Sequence, residues 1–220
     1  MNKIISTAFV MLFSCVSLFA QEDVEPKVDV AKAKKEILST FNKFKTAILN
    51  NDTKTAITQI DKSSFNYYDE ILNTALRADE AQINTLEVLD RLMVLTVKHR
   101  VPKQELVKMN GRDLLIYALD KDIINNNRVE NMGIGEIDVN GNIAYGQFLQ
   151  NNQNIALYVG FTYDQSQWRL DVTSLAEPTG FAIKKLAKLQ DKSENDVILM
   201  MIESTTPGQK ISKDIWKPIL

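Results

Sequence analysis

The chain has 220 residues, with 26 basic against 28 acidic side chains, a net charge of −2, one histidine and one cysteine. That near balance, without a dense Lys/Arg stripe, excludes the electrostatic footprint of a nucleic-acid partner or a polybasic membrane-binding segment. One His and one Cys argue against a transition-metal site, and no metal-ligand cluster or phosphate loop stands in the sequence, so neither metal nor cofactor is expected.

Residues 1–20 carry the marks of a secretory signal. Lys3 supplies the positive n-region, residues 4–13 the apolar h-region, and small and apolar residues lead to Ala20 ahead of Gln21-Glu22-Asp23. The segment is short for a membrane span, and no later run is long and apolar enough to be one. The chain is therefore expected to be exported, periplasmic or secreted. A lipoprotein alternative rests on Leu12-Phe13-Ser14-Cys15, a loose lipobox. Against it, Phe13 is bulky for its position and residues 16–20 stay apolar where a polar tether is usual. Cleavage after Ala20 removes both Lys3 and Cys15, leaving 25 basic against 28 acidic residues, a net charge of −3. Disulfide and thiol chemistry go with Cys15. The remaining length of about 200 residues suffices for one domain with its own core.

Residues 21–32 are acidic with one proline and are expected to form a loose leader. From residue 33 to 192 the pattern predicts one α+β domain, and residues 193–220 a C-terminal helix and tail packed on that domain. In the first helix Ile37, Phe41, Phe44 and Ile48 recur on one side. Asn50-Asn51-Asp52 ends it and caps a short helix over 53–60. The stretch from Phe65 to Leu72 fits either an edge strand or a helix start. Leu86, Leu89, Met93 and Val97 predict a long helix over 82–98, stopped ahead of Pro102. Two short helices, 103–109 and 112–120, are split by Asn110-Gly111, and 123–128 is read as a loop into the sheet.

Residues 133–175 predict four antiparallel strands joined by two-residue turns at Asn140-Gly141, Asn151-Asn152 and Gln165-Ser166. The first turn has the type I′ signature and pairs Val139 with Asn142, Ile137 with Ala144 and Gly135 with Gly146. The second sets Phe148 opposite Ile155 and Gly146 opposite Leu157. The third sets Tyr163 opposite Trp168, Phe161 opposite Leu170 and Val159 opposite Val172. Paired residues share a face. One face thus collects Ile137, Val139, Ala144, Phe148, Ile155, Leu157, Val159, Phe161, Tyr163, Trp168, Leu170 and Val172. Glu136, Asp138, Tyr145, Gln147, Tyr158, Thr162, Arg169 and Asp171 fall on the other. After the sheet, 181–190 and 197–203 are predicted helices, the latter behind a capping-box sequence at Ser193-Glu194-Asn195-Asp196. Pro207-Gly208 then turns the chain, and Ile211, Ile215, Trp216 and Leu220 can strap it to the body.

Leading helices followed by a hairpin meander ending in Trp168-Arg169-Leu170-Asp171-Val172 resemble the cone-shaped nuclear transport factor 2-like superfamily, over residues 33–175. The segment with His99, Arg100, Pro102, Gly111 and Arg112 is longer than the minimal cone and resembles exported bacterial members without a known activity. The resemblance implies a pocket between helices and sheet, and in the enzymes of that superfamily, such as ketosteroid isomerase, an acid–base carboxylate with Tyr or Asp donors. It also implies sheet-to-sheet dimers.

On the apolar face only Tyr163 and Trp168 carry hydrogen-bonding groups, so the strands offer no general base there. The expectation is a non-catalytic binding or interaction module with an apolar cavity. Phe148, Leu157, Phe161, Tyr163 and Trp168 are the candidates to line it around a small apolar ligand. On the polar face Tyr145 and Tyr158, read as a cross-strand pair, are the candidates for a homodimer interface. The alternative is an isomerase, dehydratase or hydrolase using Tyr68 with Asp69 or His99. Tyr67 and Glu70 stand beside the first pair, and each group has a structural reading as well: half-buried tyrosines, and a His at a helix end. Asp90 and Arg91 are read as a solvated face or a local ion pair.

Overall fold

A computed structural model of the chain describes residues 29–121, 129–206 and 208–220. The expected signal segment with Cys15, most of the expected leader, the expected loop at 123–128 and Pro207 lie outside the described residues. The chain is α+β, an open four-stranded antiparallel sheet with helices packed against it and a C-terminal helical extension.

Helix α1 spans Val30–Leu49 and begins inside the stretch expected to be loose leader, because Asp29 caps it by accepting from the Lys32 N–H at 3.0 Å. Helix α2, Thr53–Thr58, is capped by Asp52 as the sequence suggested. The ambiguous stretch from Phe65 to Leu72 lies within α3, Lys62–Arg77. The single helix expected over 82–98 is two: α4, Glu80–Asn84, and α5, Val88–Arg100. A capping box between Asp79 and Gln82 starts the first, and Glu87 takes an extended conformation ahead of the second. The periodicity runs through the break because Ile83 and Val88, on either side of it, are both fully buried.

Two short helices follow, α6, Lys103–Leu106, and α7, Gly111–Asp120. Beyond the sheet come a 3-10 turn at Val172–Leu175 and α8, Ala176–Leu189. Helix α8 starts earlier than expected, since Pro178 sits in its first turn, where no intrahelical N–H is needed. The Ser193 capping box opens α9, Glu194–Thr205. In the tail Ile215 is buried and the Ile219 and Leu220 N–H groups both donate to the Leu76 carbonyl, while the Leu220 side chain, expected among the strapping residues, is 65% exposed.

The strands are β1, Met132–Asn140; β2, Ile143–Gln150; β3, Gln153–Asp164; and β4, Gln167–Asp171, in the order β1-β2-β3-β4. The second and third turns match expectation, with positive φ at Asn151 and Asn152 and at Gln165 and Ser166. The first turn lies one residue later. Asn140 pairs with Ile143 and Val139 with Ala144, and Gly141 takes φ +58 at the first central position, as a type II′ turn demands. Ile137 is therefore opposite Gly146. A bulge places Gly135 and Glu136 against Gln147 alone, so Gly135 does not pair with Gly146.

A second irregularity lies between β2 and β3. Leu149 is opposite Asn154 but Gln147 is opposite Tyr158, which moves Gly146 from Leu157 to Val159 and breaks the expected Phe148–Ile155 pair. Tyr163–Trp168 and Phe161–Leu170 pair as read, but β4 ends at Asp171 and Val172 enters the 3-10 turn, so Val159 and Val172 are not partners.

Two cores result. Helix α1 lies across the apolar face, where Ala33, Ile37 and Phe41 pack with Ile137, Ala144, Phe148, Val159, Phe161, Trp168 and Leu170. The other helices bury their own aliphatics, Ile71, Leu72, Val94, Leu95, Leu114, Leu115 and Ile198 among them, and Phe44 and Val172 touch both clusters. The free edge of β4 is covered by Gln59–Asp61, whose backbone exchanges hydrogen bonds with Leu170.

Candidate functional site

The first bulge decides whether acid reaches the apolar face. Two residues opposing one shift the alternation, so Ile134, paired with Phe148, joins the sheet core while Glu136 stays exposed. Asp171 is also held off the core. Its carboxylate accepts from the Thr173 N–H at 2.9 Å and from the Thr173 hydroxyl at 2.6 Å. Of the expected pocket residues, Phe148, Phe161 and Trp168 are buried and Leu157 is half-buried, whereas Tyr163 is 39% exposed. Rings already meet there: Phe41 and Phe148 edge-on at 6.1 Å, Tyr163 and Trp168 tilted at 5.3 Å.

The acid–base candidates lie on α3 and α5, and they do not converge. Tyr68 and Asp69 are neighbours on α3 and so point about 100° apart around the helix. Tyr68 is turned inward and buried, and desolvation pushes its phenol up to about 12. Asp69 faces outward and accepts a hydrogen bond from the Gly111 N–H at the start of α7. There its charge also complements the positive end of that helix. Tyr67, edge-on to Tyr68 with ring centroids 5.7 Å apart, donates to Asp90 at 2.7 Å. Burial, and then the Asp90 carboxylate, hold its pKa well above the ordinary phenol value. His99, in the last turn of α5, meets the Thr206 hydroxyl at 3.1 Å beyond α9. Among the described residues no hydrogen bond links His99 to Tyr68 or Asp69.

Asp90 and Arg91 are not a solvated face. Asp90 is the acceptor for Tyr67, and Arg91 crosses to α9, where it pairs with Glu194 and donates to Asn195 at 2.8 Å. Lys184 of α8 meets Glu87, the residue just before α5, in an exposed ion pair at 2.9 Å, so α5 and its N-cap reach both C-terminal helices. On the outer face of the sheet Tyr145 and Tyr158 are each 51% exposed, beside Ile143 at 49%. The two rings do not form a direct pair: Tyr145 is opposite Gly160 and Tyr158 opposite Gln147, because of the irregularity at Phe148. They lie diagonally, within reach of one another across the ladder.

Two features escaped the sequence reading. Asp61 is a buried carboxylate, 3% exposed, capping α3 through the Ser64 N–H at 2.9 Å. It also accepts from the hydroxyls of Ser64, Ser63 and Thr162 at 2.5, 2.5 and 3.2 Å. Asp-Lys-Ser-Ser is a recognisable cap in sequence, but its burial against β3 is not. The other is a groove between the end of α5 and the C-terminal strap, assembled from segments too far apart in the chain for any motif to register. Among the described residues no cluster of three His, Cys, Asp or Glu side chains is placed to hold a metal, and no helix is long and apolar enough to cross a membrane. Compared with known proteins, the chain matches no family model, no curated protein and no solved structure.

Proposed function

We propose that the chain is an exported, non-catalytic interaction module related to the nuclear transport factor 2-like cones, associating with a second copy through the outer face of its sheet. Export rests on the signal-like residues 1–20, and the relationship on a leading helix laid across a meander that closes with Trp168-Arg169-Leu170-Asp171. The observation that carries the absence of catalysis is the dispersal of the acid–base groups. Tyr68 is buried, Asp69 is engaged by the Gly111 N–H and His99 meets Thr206. A general base must reach its substrate proton within hydrogen-bond distance. An isomerase, dehydratase or hydrolase using Tyr68 with Asp69 or His99 would first have to take these groups from their present surroundings. A small apolar ligand would likewise enter only by parting α1 from the sheet, since Ile37, Phe41, Phe148 and Phe161 already pack there.

Association is supported by Tyr145, Tyr158 and Ile143 standing half-exposed on one sheet face, since aromatic side chains are enriched in interfaces. Light scattering on the chain from residue 21 should give a dimer at micromolar concentration. Tyr145→Ser with Tyr158→Ser should convert it to a monomer with unchanged circular dichroism. A monomer at all accessible concentrations, or a dimer indifferent to both substitutions, overturns the proposed interface. Native mass spectrometry of the protein from its own host tests the ligand: an apolar molecule retained in the complex would move the binding site under α1.

A further inference from the structure

The C-terminal strap closes a groove of about 380 Å³ against the end of α5 and the start of α6, bordered by Lys98, Lys103, Lys210, Ser212, Ile215 and Ile219. Lys98 is fixed at its rim, its ammonium donating to the Lys217 carbonyl at 2.6 Å with two further donors left. Lys103 opens α6 just after Pro102, and Lys210 comes from the strap itself. Among the described residues none of these three ammoniums has a carboxylate within 4.0 Å, and the groove's own acid, Asp214, is held by Lys217 at 2.7 Å.

Partial burial, and then the nearby charge of Lys103, hold the pKa of Lys98 below the ordinary lysine value. Lys98 and Lys103 repel one another at a partly desolvated edge. The Asp214 carboxylate, which borders the same groove and feels the Lys103 charge, offsets part of that repulsion, and an anion between the two ammoniums would offset more. Basic residues in the last turn of α5 do complement its negative end. That effect falls off within a turn, and it gives no reason for Lys103 on another helix or Lys210 on the strap to border the same groove.

We infer that this groove binds a phosphate-type oxyanion, with Lys98, Lys103 and Lys210 supplying the charge, Ser212 a hydrogen bond, and Ile215 and Ile219 a wall for an apolar substituent on the same ligand. Three ammoniums bordering one groove suit a dianion better than a single carboxylate, and lysine serves phosphate as a point charge. The Ser212 oxygen accepts from the Asp214 N–H at 3.1 Å, which leaves its hydroxyl proton to donate. The wall is present whether or not the sheet face pairs, so a monomeric result in the association experiment leaves this site untouched.

The test is calorimetry and amide NMR on the chain from residue 21, titrated with inorganic phosphate and with phenyl phosphate, sodium chloride serving as the matched ionic-strength control. Saturable binding is expected, tighter for phenyl phosphate. Lys103→Gln with Lys210→Gln, both at exposed positions, should weaken it at least about tenfold by removing two charge contacts, with circular dichroism unchanged. Shifts no larger than those from sodium chloride overturn the site, as does an affinity indifferent to the double substitution. Equal affinity for the two phosphates overturns the apolar wall and keeps the oxyanion site.

Discussion

Gly111 in the helical half and Gly146 in the sheet half meet different obstacles. A methyl group at Gly111 would lie 2.3 Å from the Asp69 nitrogen and 2.4 Å from the Phe65 carbonyl oxygen, both backbone atoms of α3. At Gly146 it would meet side chains only, Ile134 Cγ2 at 2.8 Å and the Phe161 ring at 3.3 Å. Backbone inside a helix cannot give way without moving the helix, whereas at Gly146 a change of χ1 at Ile134, stiff as that β-branched side chain is, leaves both strands in place. The registers repeat the contrast. The later first turn and the break at Phe148 each move partners by two residues, which leaves every side chain on its expected face. The sheet half thus tolerates even-numbered slips, while the helical half depends on one contact between two backbones.

The sharpest way to break that comparison is Gly111→Ala, which should cost about 3 kcal/mol or more in urea unfolding, because α3 and α7 must separate. A cost below about 1 kcal/mol would show that the helical half relaxes as readily as the sheet. Next in size is alkaline pH. Tyr68, buried in the helical half, keeps its proton up to about 12, and Tyr67 holds its own still longer through burial and its bond to Asp90. Unfolded tyrosine ionises near pH 10, so above that pH the unfolded chain binds fewer protons than the folded one and stability falls. Tyr68 by itself should remove roughly 2–3 kcal/mol by about pH 12. Urea melts at successive pH values check this. Tyrosinate absorbance should show a late wave that includes Tyr67 and Tyr68 and coincides with unfolding.

Asp61→Ala probes the seam between the halves, since Asp61 caps α3 and also accepts from Thr162 on β3. Loss of the cap and of the acceptor for buried donors should cost about 2 kcal/mol, and Asp61→Asn less. Gly146→Ala should be the mildest, about 1 kcal/mol, as the added methyl displaces Ile134 while restricting the unfolded chain. A cost equal to that of Gly111→Ala would erase the distinction between the two glycines.

Much of the sheet was legible because alternation and turn residues are local. Asn151-Asn152 and Gln165-Ser166 take the left-handed conformations their turns need, and Tyr163–Trp168 follows directly. The bulge at Gly135-Glu136 was not legible, since nothing in Gly-Ile-Gly-Glu says which of two adjacent residues loses its partner. The helix over 82–98 misled because periodicity records which side is buried, and α4 and α5 bury theirs in the same core. Of the candidate site, the exposure of Tyr145 and Tyr158 could be read from strand parity. The dispersal of Tyr68, Asp69 and His99 could not, because their partners are α7 and the end of α9.

By itself the sequence determined the α+β class, the helix caps at Asp52 and Ser193, and the sorting of side chains between the two faces of the meander, all set by interactions within a few residues. Only the tertiary structure decided that α1 covers the sheet with Ala33, Ile37 and Phe41 while its end, Ala47 and Ile48, joins the other helices in a second core, that Gly111 exists to let α7 touch α3, and that Lys98, Lys103 and Lys210 share a groove. These depend on which segments meet after folding. Contacts between distant segments leave no periodic trace in the chain, since each partner carries only its own half of the contact.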